Sequence, residues 1–245
     1  MTSKSLKTLL CTTFILAMTM PVMASVVMLN TRVIYPGDAQ SETLQFTNND
    51  NIPYIMQIWS DVNNPTSTPD NADGPFMAVP ALFRIEPKTG QSVRLVFTGK
   101  NLPQDRESVF YLNSVQIPPK NMANAQNQMV VVLRNRNKIF YRPKTIVGSV
   151  DNVANQLRFS VTEEGGNVQL TVINDSGYYA SFINADVIAG SKRLTFPVNM
   201  VPPKSQTRWV AKNKNSRLSS TPLKVKFTLV NDYGGHTNSE VSLKN

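Results

Sequence analysis

From residue 25 onward, apolar positions recur every second residue, the spacing of strands with one buried face. No amphipathic helical period interrupts them. Strands are predicted over residues 26–35, 43–47, 54–60, 92–98 and 107–117. Turn-forming residues separate them: Pro36-Gly37-Asp38, a Pro/Asp/Asn-rich loop over 63–75, and Pro118-Pro119. Asn51-Ile52-Pro53 is a candidate for a cis peptide bond. Composition shifts after Pro143, and a second alternating pattern follows. It reads Leu157, Phe159 and Val161; Val168, Leu170 and Val172 behind the Gly165-Gly166 turn; then Leu223, Val225, Phe227 and Leu229. Many short strands without intervening helices predict an all-β chain of two consecutive antiparallel sandwiches. The expected domains span 25–143 and 150–245, with 144–149 as linker.

One stretch, 128–143, departs from plain alternation. Met129, Val131 and Leu133 share one parity, while Val130 and Val132 fill the other. Three cations follow, Arg134, Arg136 and Lys138, all on the parity opposite Met129, and Phe140-Tyr141-Arg142-Pro143 closes the stretch. Two readings are open: a central strand that ends at a solvated surface, or a strand that offers apolar side chains and a cation to a partner. A second anomaly lies in the first predicted strand, where Arg32 occupies the apolar row of Val26, Met28 and Ile34. An arginine there needs an anion or a water-filled cleft, or else marks an exposed strand edge.

Residues 1–24 read as a secretory leader: Lys4 and Lys7, a short apolar run over 9–20, and small residues ending at Ala24. The apolar run is too short to span a bilayer, and no later stretch is long enough. The single cysteine of the 245-residue chain, Cys11, lies in this leader, so the exported part has neither a disulfide nor a thiolate. Removing the two leader lysines from the formal charge of +9 leaves +7, a balance that favours anionic partners. Nucleic acid is not expected, because no aromatic–basic recognition pattern accompanies the charge. Neither a cofactor nor a metal is expected either.

Four blocks stand in order along the chain: Arg32-Val33-Ile34-Tyr35-Pro36; Asp105 to Asn113 followed by Ile117-Pro118-Pro119; Lys138 to Pro143; and Asn231-Asp232-Tyr233-Gly234-Gly235. This ordered set resembles the PapD-like periplasmic chaperones of the chaperone–usher pilus pathway, over both domains. The resemblance implies two immunoglobulin-like sandwiches with a cleft between them. It implies that Arg32 and Lys138 bind the terminal carboxylate of a pilus subunit in that cleft. Met129, Val131 and Leu133 would fill the subunit's open groove, although Val130 and Val132 on the other face remain the competing choice. Glu107, Arg142 and Asp232 match the family's charged triad at the domain junction. The implied partners are fimbrial subunits and an outer-membrane usher, the implied compartment is the periplasm, and no membrane insertion is expected. Self-association of the free form stays open. Asn137 stands where relatives carry an aliphatic residue, which predicts weakened or bulged pairing. The short connection 120–127 resembles the short-loop branch of the family.

An enzyme is disfavoured. The one histidine, His236, lies in a glycine-rich turn, and no nucleophile elbow, zinc-protease signature or phosphate-cradling loop occurs. Glu163-Glu164 precedes Gly165-Gly166 and reads as an exposed turn. An exported adhesin or carbohydrate-binding sandwich is the alternative, but it leaves Arg32, Lys138 and the junction charges unexplained. A pilus subunit is a third class, disfavoured by the second complete domain.

Overall fold

The computed structural model describes residues 25–119, 131–211 and 223–243. Residues 1–24, expected to be a leader, the 120–127 connection, Met129 and Val130 lie outside them. The first sandwich runs through β1 (Val26–Met28), β2 (Arg32–Pro36), β3 (Glu42–Asn48), β4 (Tyr54–Asp61), β5 (Phe76–Val79), β6 (Leu82–Ile85), β7 (Gly90–Phe97), β8 (Ser108–Ile117) and β9 (Leu133–Arg142). One sheet has the order β1-β3-β7-β5, the other β2-β9-β8-β4-β6. Their inner faces close on a core that includes Phe46, Ile58, Leu95, Leu112 and Ile139. Among the described residues the cis peptide bond is Val79–Pro80, and the candidate at Ile52–Pro53 is trans.

The strand expected over 26–35 is two strands. β1 pairs antiparallel with β3, whereas β2 crosses to the opposite sheet and pairs parallel with β9. Residues 29–31 make the crossing, and Leu29 is exposed there. Continuous alternation hides such a switch, because both halves bury side chains in one core.

The second sandwich follows a short helix, α1 (Val153–Gln156), and contains β10 (Leu157–Glu164), β11 (Asn167–Asn174), β12 (Phe182–Ala189), β13 (Lys192–Thr195), β14 (Ser205–Val210), β15 (Leu223–Val230) and β16 (His236–Leu243). Its sheets have the orders β10-β11-β14 and β13-β12-β15-β16. Leu170, Val187, Trp209 and Phe227 lie in its core. Ile146, inside the expected linker, is buried in this same core, and the Tyr178 hydroxyl donates to the Gly148 carbonyl at 3.0 Å. The connection is therefore packed against the second domain.

β9 carries opposite chemistry on its two faces. Ile139 and Tyr141 enter the first core, while the even-numbered residues face away from it, Phe140 buried against Tyr179 of the second domain. The outward row is braced by a buried carboxylate on β4. Arg136 donates to Asp61 from Nη2 (2.6 Å) and Nε (3.2 Å), and the Asn113 side-chain amide of β8 donates at 2.7 Å. The N–H groups of Asn63 and Asn64 add 2.8 Å bonds from the loop that follows β4. Arg134 closes the chain by donating to Asn113 Oδ1 at 2.6 and 3.1 Å. A buried charge demands this many donors, since each unmet lone pair costs stability.

Burial alone would raise the carboxyl of Asp61, but Arg136, Asn113 and the two backbone donors outweigh it and hold the group down to about 2. A depressed carboxylate stabilises the fold above its unfolded value of 3.8 and loses that contribution as pH falls through about 2. The shift corresponds to roughly 2 kcal/mol. Wild type should therefore exceed Asp61→Asn in stability at neutral pH. Urea denaturation should show the gap shrinking by roughly 2 kcal/mol between pH ~4 and ~2.

Candidate functional site

On one side β9 pairs with β8 along its length, from Leu133 opposite Gln116 to Tyr141 opposite Ser108. On the other side β2 begins only at Arg32, opposite Lys138. Residues 133–137 therefore present a strand edge with no neighbouring strand among the described residues. The pairing expected to bulge at Asn137 is regular: Asn137 sits opposite Leu112 without a register shift. Its side-chain amide donates to the Thr31 carbonyl at 3.0 Å, which uses its polarity on the crossing segment.

Val131 and Leu133 lead into this edge, 58% and 47% exposed. Leu133 shares the parity of Ile139 and Tyr141, so the row that is core further along the strand continues into solvent here. Val132, on the other parity, is 50% exposed. Met129 lies outside the described residues.

At the point where the edge ends, the parallel register sets Arg32 and Lys138 side by side. Arg32 is poorly satisfied. Its Nη1 reaches Ser181 Oγ and the Val230 carbonyl only at 3.5 and 3.4 Å, and its buried Nε has no acceptor among the described residues. Its guanidinium lies 5.8 Å from the Phe140 ring centroid. Burial lowers its proton affinity below the ordinary arginine value, against the opposing fields of Asp232 and Glu107. Burial likewise lowers Lys138, and the neighbouring cations Arg32 and Arg136 lower it further. Two half-buried cations with few acceptors have the chemistry to accept an anion. Arg32 borders a cavity of about 400 Å³ between the domains, whose walls include Phe140, Tyr179, Leu229 and Asp232; Lys138 is its neighbour in the β2–β9 ladder.

The floor of this cleft is fixed by Arg142. Its Nε donates to Glu107 at 2.7 Å, and its two terminal nitrogens bind Asp232 at 2.7 and 2.9 Å. Glu107 belongs to the first domain and Asp232 to the second, so one guanidinium spans the junction. Glu107 adds two further ties: its N–H donates to the Gly177 carbonyl, and its second carboxylate oxygen accepts from the Tyr179 N–H, both at 2.8 Å. Burial raises the Glu107 carboxyl, opposed chiefly by Arg142. Gly177 is required by close approach, since a Cβ there would lie 2.4 Å from a methyl of Ile146.

Comparison with known proteins accords with this geometry. Residues 25–147 match the family model described as pili and flagellar-assembly chaperone, PapD N-terminal domain, and residues 152–241 match that of the pili assembly chaperone PapD, C-terminal domain. The chain belongs to the PapD family of pilus-assembly chaperones. It is a chaperone of fimbrial assembly and not an enzyme. The probable fimbrial chaperone YadV of Escherichia coli is 34% identical over 233 residues, covering 93% of this chain and 94% of that protein. Chaperone protein HifB of Haemophilus influenzae is 36% identical over 222 residues, covering 89% and 87%. The crystal structure of the YadV chaperone superposes with a TM-score of 0.76 at 32% identity, over 90% of this chain and all of that one. A chain from the Salmonella enterica SafA pilin in complex with the SafB chaperone superposes with a TM-score of 0.71 at 26% identity, over 91% and 99%.

The structure thus brings Arg32 and Lys138 together, and Glu107, Arg142 and Asp232 together, as two separate charge groups in one cleft. Sequence reasoning missed Asp61 and Asn113, and missed the Ser181 and Val230 wall from the second domain. The period-two run of Arg134 and Arg136 was the available signal for the first group, since stacked cations require a counter-charge nearby.

Replacing Arg142 with Ala strands the buried Glu107 carboxylate and should cost about 3–5 kcal/mol. Small-angle scattering should show a wider interdomain angle in the variant. The charge-free combination Glu107→Gln, Arg142→Met, Asp232→Asn should recover much of the stability in urea denaturation.

Proposed function

We propose that the protein holds fimbrial subunits in the periplasm by adding the open edge of β9 to them, and passes them to an outer-membrane usher. A subunit strand laid parallel to β9 along 131–137 runs into the start of β2 and must end there. Its terminal carboxylate then meets Arg32 and Lys138. That dead end, closed by two cations short of acceptors, is the observation that carries the reading. Further support comes from the SafA–SafB complex, in which a similar chaperone accompanies a pilin.

The backbone groups along 133–137 supply the pairing, as in strand addition to an exposed edge. Val131 and Leu133, with Met129 before them, extend the parity of the first core into the subunit, so that the two proteins share one apolar interior. Each buried side chain contributes roughly 1.5–3 kcal/mol before ordering costs. Glu107, Arg142 and Asp232 hold the cleft in shape and do not touch the subunit. No helix among the described residues is long and apolar enough to cross a membrane. No nucleotide enters the scheme, because pairing and groove filling provide the free energy.

Co-expression with the subunits of its own locus tests this. Arg32→Ala and Lys138→Ala should each lower recovered chaperone–subunit complex about tenfold, the effect of losing a charge-assisted hydrogen bond in a desolvated site. Leu133→Asp should abolish capture while the chaperone still folds, since Leu133 is half exposed in the free protein. Wild-type recovery with all three variants would refute the assignment.

A further inference from the structure

The outward face of β9 presents not one cation but three at period two: Arg134, Arg136 and Lys138. A bound strand can slide by two residues, ~6.6 Å, without exchanging its faces. Sliding toward the cleft is blocked, because β2 occupies that line from Arg32 onward. Sliding the other way would set the terminal carboxylate opposite Arg136 instead of Lys138, and charge alone would not forbid it.

We infer that Asp61 fixes the register of the bound strand by denying it this second anchor. The inference rests on the carboxylate reading of Arg32 and Lys138. Arg136 lies across β8, its guanidinium 3.5 Å from the centroid of the Tyr111 ring, and reaches Asp61 on β4, the side away from the open edge. Arg134 is turned the same way, 5.0 Å from the Trp59 ring centroid and bonded to Asn113 Oδ1. Asn113 donates its amide N–H to Asp61 and accepts from Arg134 at its oxygen, so one carboxylate orders both arginines. Asp61 also lies in line with Lys138, each opposite Tyr111. Its oxygens are occupied by Arg136, Asn113 and two backbone donors, and Lys138 has no hydrogen-bonded acceptor among the described residues. β2 therefore stops the strand in one direction, and Asp61 removes the rival cation in the other. Asp61 is a positioning residue that never meets the subunit.

The test uses the protein without its leader, which then lacks cysteine, spin-labelled at Thr162→Cys on the exposed face of β10. The probe is a synthetic peptide of about ten alternating Val and Thr residues, spin-labelled at its N-terminus, as free acid and as C-terminal amide. Wild type should prefer the acid about tenfold and give one label-to-label distance. Asp61→Asn should add a second population whose peptide is displaced by ~6.6 Å along β9. It should also keep its acid preference when Lys138→Gln is added. A single unchanged distance in a folded Asp61→Asn protein overturns the inference while leaving the anchor reading intact. Should Asp61→Asn fail to fold, Asp61→Asn combined with Arg136→Gln removes both charges and should retain the wild-type acid-to-amide ratio. A ratio that falls to that of Lys138→Gln would show Arg136 already serving as anchor, and overturns the inference. No acid preference in wild type overturns the anchor reading, and this inference with it.

Discussion

Parallel pairing of β2 with β9, in the register that sets Arg32 beside Lys138, is the constraint on which the rest depends. It places two cations at one point, ends the free edge of β9 at that point, and faces both toward the second domain. Electrostatics alone would drive such a pair apart or into water. They stay because the backbone ladder holds their Cα positions, and Phe140 with the wall formed by Ser181 and Val230 restricts where the Arg32 side chain goes. The fold stores an unmet demand for negative charge at the end of a strand.

The demand is useful only if the cleft keeps its shape, and a second charge group provides that. Arg142 and its two carboxylates, with the Tyr179 N–H on Glu107, are satisfied in close geometry. Arg32 lies on the same short strand as Pro36, the partner of Arg142, yet it receives none of those hydrogen bonds. A closed charge cluster and an open one thus stand apart within one cleft, the second with cations short of acceptors. A buried cluster need not add net stability, but removing one member strands the others.

Much of the architecture was legible in the chain itself. Rows such as Val168, Leu170 and Val172, or Val225, Phe227 and Leu229, show one buried face, and all are core residues. Arg32 in an apolar row was by itself the signal of a cleft or an edge. What stayed hidden had weak or misleading local signals. β5 and β6 are only four residues each, and β16, HTNSEVSL, is mostly polar because it lies at a sheet edge. His236, expected in a turn, begins that strand. β12 turns the small residues Ala185 and Ala189 inward, which blunts the alternation. The bond between Asp61 and Arg136 joins residues 75 apart, a distance over which no local pattern carries information.

The crossing at 29–31 has a wider meaning. The Leu29 N–H still bonds the Gln45 carbonyl of β3, so the opposite sheet holds the chain back from β9. Two sheets compete for one segment, and the outcome measures the length of strand left for others. Every residue that β3 yielded to β9 would cover one more position of the edge, until the sandwich sealed itself. The stickiness of the protein is thus a matter of internal allegiance. Its reach toward a partner is set by how firmly Val26–Met28 is kept on the far side of its own core.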